Sequence, residues 1–260
     1  MFNFVRANLY KAMKSKTFAV LMSVSSVCCI LMVVLTNGIA KGTINASFTG
    51  ISFLVSDASI LALLGAMLAS TIIGAEFESK WFHHAIVAGY SRLQIVIGKL
   101  IVYLILFSFV SMPYVIGAVL VKVLAINIQT GTPGAGVLSV VNSATDESLG
   151  SILFVFAMLL VVYAAQVSLT VLLAFTVKKA MLIIPIFYFV SAMAGQVSVN
   201  EATVPTVDKL LNFTPFGSEI ISLSLNVEDG VLFKALVVSL IFIAFIIILT
   251  FISFRKAELK

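Results

Sequence analysis

Charge is scarce in this chain: Asp, Glu, Lys and Arg make up 10% of its 260 residues, against about a quarter in a soluble domain. That scarcity excludes an ordinary water-facing surface. Histidine and cysteine occur twice each. Cys28 and Cys29 are neighbours in an apolar run, where a disulfide between them would be strained and packing is the default role. His83 and His84 are also adjacent, hence about 100° apart on a helix, a poor arrangement for chelating one metal ion. No Ser/His/Asp or Cys/His set falls at a common depth, so a membrane-embedded hydrolase has no support. A phosphate loop is missing as well. Gly98-Lys99 is followed by Leu100 and has no glycine five residues before it, so this chain carries no ATPase motif of its own.

What is present is hydrophobicity. Apolar residues reach 61% and the mean hydropathy is +1.18, so a bilayer is the solvent for most of the chain. The apolar runs extend to about 20 residues, enough at about 1.5 Å per residue to cross a core of roughly 30 Å. Helices are the expected element because each satisfies its backbone hydrogen bonds internally. The sequence predicts six spans, at 18–36, 51–75, 95–121, 152–177, 181–199 and 231–254. The first is preceded by Arg6, Lys11, Lys14 and Lys16 but followed by Asn37, Gly38 and five further apolar runs, which reads as a retained helix rather than a cleaved leader.

Lys and Arg fall unevenly between the two sides. Arg6, Lys11, Lys14, Lys16, Lys80, Arg92, Lys99, Lys178, Lys179, Arg255, Lys256 and Lys260 lie on one side, twelve of the sixteen. Lys41, Lys122, Lys209 and Lys234 lie near the alternate connections, where Asp146, Glu147, Glu201, Asp208, Glu219, Glu228 and Asp229 also fall. This asymmetry predicts cytoplasmic termini. It also accounts for the net charge of +5 without a nucleic-acid partner.

Two outer connections are long. Residues 123–150 contain the run Gly131-Thr132-Pro133-Gly134-Ala135-Gly136 and read as an external excursion. Residues 200–230 mix Leu210, Leu211, Phe213, Phe216, Ile220, Ile221 and Leu223 with polar residues and two prolines, which fits either short amphipathic pieces dipping into the outer leaflet or a structured loop on the helix ends. On the inner side, residues 1–17 place Phe2, Val5, Leu9 and Met13 at helical intervals, interspersed with Lys11, Lys14 and Lys16. This predicts an amphipathic helix anchored on the membrane surface, its lysines meeting anionic headgroups.

The connection at 76–92 is the most informative segment. Glu76 and Glu78 suit the first turn of a short helix, Gly89 its end, and Ser91 the N-cap of the next. Trp81, Phe82, Ile86 and Val87 would be available to a partner, so that this helix passes force from a cytoplasmic subunit into the membrane. Lys80, His83 and His84 belong to the same surface, and Arg92 and Lys99 follow.

In the order Glu76, Glu78, Gly89, Ser91, Arg92, Lys99 the segment resembles the coupling region between the second and third spans of permease subunits of type-two ABC exporters. The basic N-terminal segment, the six-span layout, the outer excursion with Thr214-Pro215 and the short Arg/Lys tail resemble them too. The chain departs from that pattern at Lys80-Trp81, where the family often has Gly-Thr, and at Gly89, where it often has Pro. The resemblance implies an all-α membrane protein forming one permease domain over 1–260, in a bacterial cytoplasmic membrane. It implies cytoplasmic ABC ATPase subunits as partners, which would bind ATP and Mg, and a second permease chain, identical or related. Among such families it is most like the exporters of antimicrobial or toxin-like peptides.

Several residues inside the spans carry two readings. Gly65, Ala66, Ala69, Ser70 and Gly74, with Ala164, Ala165, Gln166, Ser168 and Thr170, permit close helix approach, either at a dimer seam or transport path or in packing within the chain. Phe187, Tyr188 and Phe189 would meet lipid or an amphipathic substrate. Asp57 is the one acidic residue near membrane depth, at the interface or functional within it. Pro113 and Pro185 should bend their spans. Two further functions stay open, an ion-driven secondary transporter, which the scarcity of buried charge disfavours, and a membrane scaffold that moves nothing.

Overall fold

The computed structural model describes residues 1–43, 57–124, 149–199, 211–217, 220 and 229–256. Most of the predicted excursions at 123–150 and 200–230 lies outside them. Every regular element among the described residues is helical. Helix α1 (Phe2–Met13) precedes α2 (Lys16–Ala40). Helix α3 runs Asp57–Ala69, passes through a π-helical turn at Ser70–Gly74 and closes with Ala75–Glu78. A short α4 (Trp81–Val87) then leads into α5 (Arg92–Val123), α6 (Leu149–Val177), α7 (Ala180–Val199) and α8 (Asp229–Lys256).

Among the described residues, five helices are long and apolar enough to cross a membrane: Lys16–Gly38, Asp57–Glu78, Arg92–Val123, Leu153–Val177 and Gly230–Arg255. Helix α7 coincides with the predicted 181–199 segment but contributes the shorter apolar stretch Ala180–Ser191. Helices α3, α5 and α6 form the centre. Helix α2 packs on α5 and α3, α7 on α3 and α6, and α8 on α6 and α5. The outer helices α2 and α8 leave most of their apolar surface uncovered, as Val20, Val24, Val27, Phe245 and Ile248 illustrate. Such faces are what a lipid solvent accepts without cost.

The central contact depends on small residues. A Cβ on Gly65 would stand 2.8 Å from Val167 Cγ1, so only glycine lets α3 and α6 approach this closely. The Tyr103 hydroxyl of α5 sits against the same place, 3.0 Å from the Gly65 carbonyl and 3.2 Å from the Val167 carbonyl, with Thr170 Oγ1 at 2.9 Å. One fully buried phenol thus ties three helices together, its hydroxyl satisfied inside the bundle. Replacing Gly65 by Ala should destabilise the bundle by about 1–3 kcal/mol, the usual cost of overpacking. Gly230→Ala, where an added Cβ meets nothing within 4 Å, serves as the neutral control in a thermal melt in detergent.

Pro113 lies within α5. Ser25 Oγ donates to the Val110 carbonyl at 2.7 Å and Cys29 Sγ approaches the Pro113 carbonyl at 3.4 Å, so α2 is bonded to α5 around its proline. Buried Cys29 therefore packs, as its apolar surroundings predict.

Candidate functional site

The end of the bundle that carries α1 and α4 concentrates the polar chemistry. Helix α4 is shorter than the 76–92 segment suggests, because α3 continues through Glu78 and the chain turns at Lys80, whose φ of +56° is left-handed. A non-glycine residue there is strained, and what holds it is the packing of the next two side chains. Phe82 is 1% exposed. Its ring lies 4.3 Å from Phe77, 5.5 Å from Phe175 and 5.8 Å from Phe254, centroid to centroid. Phe175 and Phe254 are themselves edge-on at 5.1 Å. The ends of α3, α6 and α8 thus meet around one phenylalanine of α4, in the tilted and edge-on arrangements aromatic rings prefer.

The C-terminus of α4 is closed by a Schellman motif: Gly89 N–H donates to the Ile86 carbonyl at 2.9 Å and Tyr90 N–H to Ala85 at 3.2 Å, with Gly89 at φ +91°. Ser91 then begins α5 with a full capping box, Ser91 Oγ accepting from Gln94 N–H at 3.2 Å and Gln94 Oε1 accepting from Ser91 N–H at 3.1 Å. These two caps agree with the sequence reading of Gly89 and Ser91. Arg92 reaches the far end of the chain: its guanidinium donates to the carbonyls of Phe254 and Arg255, both at 2.7 Å, and lies over the Phe254 ring. It satisfies carbonyls that a helix C-terminus leaves open and meets the negative end of the α8 dipole.

Beside this cluster lies a buried ionic node. Lys99, fully buried in α5, forms an ion pair with the Glu76 carboxylate and donates to Asn8 Oδ1 at 2.7 Å. Lys11 stands 3.3 Å from the other Glu76 oxygen. The Lys99 ammonium also lies 4.3 Å from the centre of the Trp81 ring, within cation–π range. Asn8 is oriented by its own donation to the Phe4 carbonyl at 2.8 Å. Phe4 packs on Trp81 and Tyr90 with centroids at 5.7 and 5.0 Å, and closes against Gly98, where a Cβ would stand 2.8 Å from its ring. Helix α1 is therefore docked into the bundle along Phe4, Val5, Asn8, Leu9 and Ala12. Phe2, Tyr10 and Met13 face outward, with Lys14 over the Tyr10 ring, and Lys16 opens α2 on the exposed side.

Three readings of the sequence change here. Glu76 and Glu78 do not open the short helix, because α3 extends through both. Glu76 neutralises Lys99, and Glu78 Oε1 accepts the N–H of Ala180 at 3.0 Å, capping the start of α7. Phe82 is not available to a partner, because it fills the aromatic cluster, and Trp81 is half-covered by Phe4 and Lys99. What α4 exposes is His83, His84 and Val87, with Lys80 just before it.

The small-residue stripe is used within the chain. Gly74 leaves room for Ala180, whose Cα would be 2.8 Å from an added Cβ, Ser70 Oγ donates to the Ala180 carbonyl at 2.7 Å, and Ala69 is fully buried. The π-helical turn at Ser70–Gly74 brings both residues onto the start of α7, a local widening that sequence periodicity does not encode. Gln166 Nε2 donates to the Pro215 carbonyl at 2.7 Å, and Phe216 packs against Phe242, so the Thr214-Pro215 turn rests about halfway along α6 and α8. Phe187 is buried within the bundle and Tyr188 is part-exposed on its surface. Asp57 is fully buried at the start of α3 and accepts from the Tyr163 hydroxyl at 3.0 Å.

No protein-family model matches the sequence, and no curated protein matches it.

Proposed function

We propose that this chain is the membrane-spanning subunit of an ATP-driven exporter of the type-two ABC class. In this reading it has six spans with cytoplasmic termini, α7 being the fifth. It pairs with a second permease chain and takes power from separate ATPase subunits that bind ATP and Mg. The observation that carries the proposal is the construction of α4. A seven-residue helix is capped at its end, wedged by Phe82 among the ends of three other helices, and left bare on the His83, His84 and Val87 face. A push on that face moves a rigid body into α3, α6 and α8 together. A solvated connection would need no such anchoring. The substrate that fits an apolar bundle with so little buried charge is amphipathic, such as a toxin-like or antimicrobial peptide.

Replacing His83, His84 and Val87 together by Ala should leave the melting temperature within about 2 °C, since surface changes alter stability by under about 0.5 kcal/mol. It should lower ATPase stimulation by the permease at least tenfold. Unchanged stimulation, with a folded variant, would remove α4 as the coupling element.

A further inference from the structure

A cavity of about 320 Å³ opens beneath α1, between the start of α2 and α3, within the size range of ligand sites. Its α3 wall is graded. Leu68, Ile72, Ala75 and Ser79 recur at helical spacing over about 16 Å of the helix, with Thr71 beside Ile72 and Glu76 beside Ala75, so the wall is mainly apolar at one end and more polar at the other. From the first turn of α2, Phe18 adds further apolar surface. The polar end holds Lys11, Lys99 and Glu76, two cations against one carboxylate. Lys99 pairs with one Glu76 oxygen from a fully buried position and Lys11 with the other, so one positive charge is left over. The Lys11 side chain is 65% exposed, leaving its ammonium able to turn to another anion.

Ser15 and Thr17 bring the first turn of α2 to the same end, where Ser15 Oγ already accepts the Phe18 N–H at 3.2 Å. The first-turn amides of Lys16 and Thr17 have, by helix geometry, no acceptor within the helix. A surplus positive charge and open amides at one end, with an apolar trough leading away along a membrane helix, match one kind of molecule. We propose that this cavity binds an anionic phospholipid, its phosphodiester held by Lys11 and the start of α2 and the first part of its acyl chain lying against Phe18, Ile72 and Ala75. The lipid would brace α1 against α3, beside the Glu76–Lys99 pair. The inference needs only a membrane-embedded chain and does not depend on the exporter reading.

Trp81, the single tryptophan, lies 5.9 Å from the Lys11 ammonium and supplies the readout. The purified chain in a non-ionic detergent is titrated with short-chain phosphatidylglycerol, short-chain phosphatidylcholine and inorganic phosphate. Trp81 emission is followed, and bound lipid is counted by native mass spectrometry. Phosphatidylglycerol should saturate at one per chain and bind at least tenfold more tightly than phosphatidylcholine, with inorganic phosphate giving no change at millimolar concentration. Lys11→Glu and the cavity-filling Ala12→Phe should each weaken phosphatidylglycerol at least tenfold, while Lys14→Glu, which does not line the cavity, should not. Phosphate binding as tightly as the lipid would replace the lipid with a free anion. Equal affinity for the two lipids, or wild-type affinity in both Lys11→Glu and Ala12→Phe, would overturn the site.

Discussion

Lys99→Met is expected to lower the stability of the purified chain by about 3–5 kcal/mol, the cost of leaving a buried charge without its partner. Glu76 would keep only the exposed Lys11, and Asn8 would lose the ammonium that its Oδ1 accepts from. The loss should appear as a fall in the midpoint of denaturation in detergent. The double variant Glu76→Gln, Lys99→Met should recover most of it, because a neutral pair has no charge to strand. Were the single and double variants equally destabilised, the effect would come from lost packing of the lysine stem instead of from the ion pair.

Phe82→Ala should cost a similar amount, about 3–5 kcal/mol, by opening a cavity among Phe77, Phe175 and Phe254. Phe82→Leu, which refills most of the volume, should cost clearly less. On the proposed function the two variants also separate coupling from folding. At a temperature where both stay folded, Phe82→Ala should bind the ATPase through the intact His83, His84 and Val87 face yet transport poorly. Measuring partner affinity and transport side by side checks this, and equal loss of both would mean that α4 has simply unfolded.

Much of the architecture is written in the pattern of residues. Long apolar runs yield helices because lipid offers the backbone no alternative partner, and the predicted positions of α2, α5, α6 and α8 follow from run length alone. Gly89 and Ser91 were legible for a different reason, since caps are local chemistry: one residue must take a positive φ and one must offer a hydroxyl. The acidic pair was not legible. Nothing in the local spacing of Glu76 and Glu78 reveals that one meets Lys99 and the other the amide of Ala180, because both partners arrive through tertiary packing. A helical wheel sets Phe82 and Val87 about 140° apart, but both are apolar, and only the arrival of Phe175 and Phe254 decides which face is buried.

Helix α1 shows the same division. The sequence groups Phe2, Val5, Leu9 and Met13 on one face, but the structure splits them: Val5 and Leu9 join the docking seam with Phe4 and Asn8 while Phe2 and Met13 face outward, because the seam depends on Gly98 and Lys99, more than 80 residues away. The π-helical turn at Ser70–Gly74 leaves no periodic signature, although the pairing of Ser70 with Gly74 marked the place where close approach was affordable.

The measurement that bears most directly on the proposed function is purification of the intact chain from its native membrane in mild detergent, with identification of what accompanies it and an assay of ATP hydrolysis. The proposal predicts a stoichiometric soluble ATPase whose activity depends on this chain and falls when His83, His84 and Val87 are replaced. A chain that purifies without such a subunit, and transports along an ion gradient or not at all, would contradict it.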